Sequence, residues 1–140
     1  MDDEGRLFTV EEVDALIPRL EFIMARMQRN ALELRSALEA AAAARGSAAP
    51  AIELHEVLEQ RPELRELVAE LERCITEIED YGGQFKGLEL GLVDFPSRID
   101  GQIGLLCWQY GEKEISHWHS FEDGFAGRQR LPGGAYLTLQ

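Results

Sequence analysis

The sequence predicts an α+β protein: a long antiparallel helical hairpin, coiled-coil-like in character, followed by a small three-stranded antiparallel β-meander. Apolar residues recur three and four apart from Val13 to Ala41 and again from Leu54 to Ile78, which is the period of packed helices. Beyond Leu88 that period gives way to the alternation of strands, and from Tyr81 onward the chain holds most of its aromatic residues. The two halves therefore build different kinds of core.

The first helix opens at a capping box. In Thr9-Val10-Glu11-Glu12 the Thr9 hydroxyl can accept from the Glu12 amide while Glu12 reaches back, and Phe8 can staple onto Val13. Val13, Ile17, Leu20, Met24, Met27, Ala31, Leu34, Leu38 and Ala41 then form a heptad seam. Pro18 is the one offence against it, since it has no N–H for the Asp14 carbonyl; the sequence predicts a kink there, or a short helix followed by a long one. Gly46 can end this arm and Pro50 can begin the next.

A second seam runs through Leu54, Val57, Arg61, Leu64, Val68, Leu71, Ile75 and Ile78, closing at Tyr81-Gly82-Gly83. Arg61-Pro62 interrupts it and predicts a short helix over about 51–60 and a longer one from Pro62 to about 80. Residues 1–83 thus make the hairpin, and 84–140 a small sheet and C-terminal loop packed on its base, within one structural domain. A sheet that small is expected to leave much of the hairpin uncovered, and Ile23, Leu32, Leu58 and Leu67 widen the apolar stripes. A homodimer through the helices follows as an expectation, with hairpins paired into a four-helix bundle and a further protein partner as an additional use of the same surface.

Asp100-Gly101 is a two-residue hairpin signal between GLVDFPSRI and QIGLLCWQY, and Gly111-Glu112-Lys113-Glu114 supplies the next turn, before ISHWHS. Pro96 suits only an edge strand, and Gly104 marks a bulge or a close approach. With Ile99 opposite Gln102 and Tyr110 opposite Ile115, one face holds Val93, Phe95, Leu106, Trp108, Tyr110, His117 and His119. The other holds Asp94, Arg98, Leu105, Cys107, Gln109 and Trp118. A slip of one residue in the second loop exchanges the faces of the last strand.

Composition narrows the function. A net charge of −12, with arginines interleaved among glutamates, excludes nucleic acid and an anionic membrane surface as partners. No run of about 18 apolar residues occurs, and the opening MDDEGRLF carries neither a basic region nor an apolar stretch, so a cytoplasmic location is expected. Cys74 and Cys107 stand alone in different segments and read as reduced, buried thiols.

The motifs GLVDFP, LCW, GE, WH and GFAGR, in that order, together with LFTVEEVDALIPRL near the start, resemble the uncharacterised bacterial family known as domain of unknown function 2203, over about residues 7–131. The resemblance implies no particular activity, substrate or cofactor. The polar residues that stand in its motifs are Asp94, Glu112, His119 and Arg128, beside Trp108, Trp118, Gly124 and Gly127. Where the family pattern usually reads Tyr-Trp-His, this chain has His117-Trp118-His119, which weakens any mechanism that requires both histidines.

Two imidazoles two apart on a strand share a face about 6.6 Å apart, so His117 and His119 are candidate ligands of a divalent transition metal, with Asp94, Glu112, Glu114 or Glu122 as a third ligand. The competing reading is aromatic packing with each ring nitrogen hydrogen-bonded. The loop Glu122–Arg128 suggests an oxyanion site gripped by Arg128; against it stands a plain turn in which Arg128 pairs with Asp94 or Glu112. No nucleophilic order stands out, and Cys107 reads as a packed thiol. The sequence favours a non-enzymatic assembly or adaptor protein that works through its hairpin. The alternative is a metal- or small-ligand-binding protein, with or without catalysis, whose site lies around Asp94, Glu112, His119 and Arg128.

Overall fold

Residues 5–46 and 54–132 are described by a computed structural model. Helix α1 (Val10–Arg45) is one helix of 36 residues, about 54 Å long. Its capping box forms as the sequence predicts: Thr9 Oγ1 accepts the Glu12 N–H at 3.1 Å and Glu12 Oε1 accepts the Thr9 N–H at 2.9 Å. Gly46 closes the helix with a φ of 89°. Pro18 does not divide it, so of the two expected outcomes, a kink or a short helix followed by a long one, the second does not occur. The proline faces solvent, where water can satisfy the Asp14 carbonyl, and the buried Ile17 and Leu20 beside it hold the helix against its neighbours.

The second arm is broken at Arg61-Pro62 into α2 (Leu54–Gln60), a 3₁₀ turn (Pro62–Leu64) and α3 (Arg65–Asp80). The expected start of this arm at Pro50 lies outside the described residues. Arg19 Nε donates to Glu77 Oε2 at 2.7 Å, and Arg26 pairs with Glu70, which fixes α3 antiparallel to α1. Among the described residues, no helix is long and apolar enough to cross a membrane.

Among the described residues the sheet has five antiparallel strands, not three, in the order β1 (Gln84–Gly87), β2 (Leu92–Ile99), β3 (Gln102–Gln109), β4 (His117–His119) and β5 (Gln129–Arg130). The two additional strands are four and two residues long, too short to show a period in sequence. With β1 beside it, β2 is no longer an edge, yet β1 reaches only Leu92, Val93 and Asp94. Pro96 lies beyond that reach, and its carbonyl accepts the Phe8 N–H at 2.7 Å. A proline is thus tolerated where no ladder bond is asked of it.

Val93, Phe95, Ile99, Leu106, Trp108 and Trp118 pack with Phe8, Val13, Ile17, Leu20, Ile23, Met24, Met27, Cys74 and Ile78 in one core. The buried strand residues of this core come from β2, β3 and β4, and β1 adds the partly buried Phe85. A second cluster, Leu34, Ala37, Val57 and Leu64, holds the distal half of the hairpin and includes no strand residue.

The pairing of β2 with β3 is as expected, Ile99 opposite Gln102. The pairing of β3 with β4 is not: Leu105 faces His119 and Leu106 faces Trp118, one residue from the register that sets Tyr110 against Ile115. The faces of β4 are therefore exchanged. Trp118 enters the core, and His119 turns to the outer face with Asp94 and Cys107. The cause is local. Ile115 is drawn into the helix–sheet core and its N–H is held by Asp14 Oδ1 of α1 at 2.7 Å, so it cannot sit opposite Tyr110.

Trp118 lies over Gly104, where a Cβ would stand 2.7 Å from its Cε3 and 3.2 Å from the His119 carbonyl oxygen. Gly104→Ala is expected to destabilise the protein by about 1–3 kcal/mol, since neither a packed indole nor backbone can give way cheaply. Urea unfolding monitored by tryptophan fluorescence measures this.

Candidate metal centre

The outer face of the sheet carries three polar residues from three neighbouring strands. Asp94 of β2 and Cys107 of β3 are direct cross-strand partners, and His119 of β4 pairs with Leu105, two residues from Cys107 along β3. All three are buried, at 2%, 0% and 3% exposure. The loop after β4 folds back above them: Phe121, Gly124 and Phe125 line the same cavity, and Arg128 Nη2 donates to the Cys107 carbonyl at 3.1 Å.

One ligating atom from each residue, an aspartate oxygen, the cysteine sulfur and a histidine nitrogen, can be chosen so that all lie within 4.8 Å of one another. A tetrahedral ion at about 2.0–2.3 Å from oxygen, nitrogen and sulfur holds such atoms roughly 3.3–3.6 Å apart, so the three need only small adjustments to bind one. His119 is already oriented for this. Its Nδ1 lies 2.8 Å from the Ser120 carbonyl oxygen, which can only accept, so Nδ1 carries hydrogen and Nε2 points at Asp94 Oδ2, 3.0 Å away. A backbone bond that fixes the tautomer of a ligating imidazole is the usual outer support of a metal site.

Burial pushes the Asp94 carboxyl above its ordinary value, against the opposing pull of His119, the Cys107 thiol and Lys86. Burial and then the Asp94 charge push the Cys107 thiol up to about 11. A nucleophilic cysteine needs the reverse shift, and both nitrogens of His119 are engaged elsewhere, so this constellation is not an activated Cys-His pair. Asp94 Oδ1 is buried with no hydrogen-bond partner among the described residues, an acceptor open to a donor or a cation.

Other sequence candidates sit differently. Glu112 and Arg128 bind each other, with both Glu112 carboxylate oxygens 2.6 Å from Arg128 Nη2. Glu112 also accepts the Gln109 N–H at 2.8 Å, and its carbonyl accepts Trp108 Nε1–H at 3.0 Å. The pair braces the C-terminal loop against the end of β3. His117 is half-buried, its Nδ1 2.8 Å from Ser116 Oγ, and it lies outside the three-atom cluster. Burial and then the Arg128 charge hold its pKa below the ordinary histidine value.

The sequence reading passed over Cys107 as a ligand. The signal was present, because the Asp100-Gly101 turn by itself sets Cys107 opposite Asp94.

The family model described as "Uncharacterized conserved protein (DUF2203)" matches residues 6–131, which include every residue named above from Asp94 to Arg128. The chain belongs to that family. No curated protein and no solved structure matches this DUF2203 chain.

The raised Asp94 pKa has a defined effect on stability. The native state keeps this proton to higher pH than the unfolded chain, so stability falls as pH rises from the ordinary carboxylate value through the raised one. Asp94→Asn removes that loss. In metal-free protein, the advantage of Asp94→Asn over the native chain should be larger near pH 7 than near about pH 4, by urea unfolding at the two values.

Proposed function

We propose that this protein binds a transition metal through Asp94, Cys107 and His119, with zinc the ion that suits the set best. The observation that carries this is the convergence of three different, buried ligating atoms from adjacent strands, one of them an aspartate whose second oxygen lacks a partner. Thiolate, imidazole and carboxylate together favour a borderline-soft ion over calcium or magnesium, which prefer all-oxygen shells. Three protein ligands leave a position open, as in sites that take a further small ligand. This differs from the sequence reading in its ligands: Cys107 joins His119 and Asp94, His117 stands aside, and Glu112 and Arg128 act as a brace.

Purified without a histidine tag and titrated with zinc, the protein should bind about one equivalent and rise in melting temperature by at least about 5 °C. Asp94→Asn, Cys107→Ser and His119→Ala should each abolish that rise, while His117→Ala should retain it. Because the Cys107 proton must leave, affinity should climb about ten-fold per pH unit below the thiol's own value. A melting curve unmoved by zinc, nickel, manganese and iron would end the proposal.

A second reading concerns assembly. We propose that the distal half of the hairpin pairs with a second copy through its helices. Leu32 is 59% exposed and Leu54 41%, and half-buried Leu38, Ala41, Leu58, Leu67 and Val68 border the cluster that no strand covers. An adaptor role would use this same surface on another protein. Sedimentation equilibrium at micromolar concentration should give twice the chain mass, reduced to one by Leu32→Glu; a native monomer there refutes the pairing.

A further inference from the structure

We infer that the open position of the Asp94–Cys107–His119 centre receives the carboxylate of a small monoanion with an apolar, ring-sized body. The inference rests on the metal reading above and adds to it the chemistry of the ligand. Its ground is the cavity of about 240 Å³ that the three residues line together. The rest of its wall is Leu92, Leu105, Phe121 and Phe125, which are apolar, with Gly124 and a single charged side chain, Lys86.

Size sets the first limit. An apolar cavity of about 150 Å³ accommodates benzene, and drug-sized ligands occupy about 300 Å³ or more, so this space suits one ring or a short branched chain with its acid group. Phe121 sets the second. Its side chain lines the cavity yet is 56% exposed, so a ring seated there would cover apolar surface that now faces water.

Charge sets the third. A dication bound by one carboxylate, one thiolate and a neutral imidazole forms a neutral unit, so Lys86 leaves the cavity with one net positive charge. One positive charge accepts one negative charge. The chain as a whole carries −12 and repels anions, which makes a local cation the feature that admits one. Arg128 is not a second anion receptor here, because it lies outside the cavity wall and its Nη2 is held by Glu112 and by the Cys107 carbonyl. A dicarboxylate or a phosphate would therefore bring charge that the lining residues do not match. A neutral aromatic would leave both the metal and Lys86 without a partner.

Cobalt(II) serves as the test ion, because its visible absorption reports both thiolate ligation and exchange of the fourth ligand. On the cobalt-loaded protein, benzoate should shift the ligand-field bands saturably and bind at least about ten-fold more tightly than acetate, from burial of the ring. Benzamide should leave the bands in place. Lys86→Gln and Phe121→Ala alter exposed side chains, so both should fold and bind cobalt normally while weakening benzoate several-fold. Two results overturn the inference while sparing the metal centre: thiolate-to-cobalt absorption that millimolar benzoate does not move, or equal binding of benzoate and acetate. Native affinity for benzoate in both variants overturns it as well. Absence of the thiolate-to-cobalt absorption itself removes the centre, and the ligand with it.

Discussion

The arrangement of this protein depends on the register of one three-residue strand. Side chains alternate along a strand, so shifting β4 by one residue against β3 would send Trp118 to the outer face and drive His119 into an apolar core. Three contacts decide the matter. Asp14 of α1 captures the Ile115 N–H, Ile115 itself is buried among core residues, and the Trp118 ring occupies the space that Gly104 leaves open. None lies in the cluster, yet each is needed for His119 to meet Asp94. The helix thus determines, from the far side of the sheet, which chemistry the near side can perform.

That division of labour explains how a buried carboxylate can be retained. The inner face of the sheet and the hairpin supply a large apolar core, and hydrophobic burial of that extent can offset a polar cluster that costs stability. Burial raises the Asp94 pKa and pushes the Cys107 thiol up to about 11, so the metal-free cluster holds a protonated thiol beside a carboxyl with one unpartnered oxygen. A cation would displace the Cys107 proton and satisfy the unpartnered Asp94 oxygen. Strain of this kind concentrates at functional positions because only a ligand relieves it.

Much of the fold was legible in the sequence, and the failures have local causes. The capping box at Thr9, the break at Arg61-Pro62 and the Asp100-Gly101 turn are short-range signals, and each appears where the residues place it. The uninterrupted course of α1 through Pro18 depends on which side of the helix faces water, and that is a tertiary fact. β1 and β5 are too short to announce themselves. The site was half legible: Asp94 and His119 were marked by motif and residue type, and Glu112 with Arg128 fulfils the pairing that competed with an oxyanion site. Cys107 was hidden by its apolar company, Leu105, Leu106 and Trp108. The β2–β3 register alone sets it beside Asp94, and the β3–β4 register then brings His119 to the same face.

The loop from Ser120 to Arg128 is fixed at its two ends, and between them Gly124, at a φ of 62°, is the position a side chain suits least. At one end the Ser120 carbonyl clasps His119; at the other, Arg128 is clamped by Glu112 and by the backbone of β3. Its middle, Phe121 to Phe125, supplies cavity wall but no ligating atom of the cluster. Exchanging Phe121 or Phe125 would therefore reshape the cavity wall while both abutments keep His119 and the end of β3 in place.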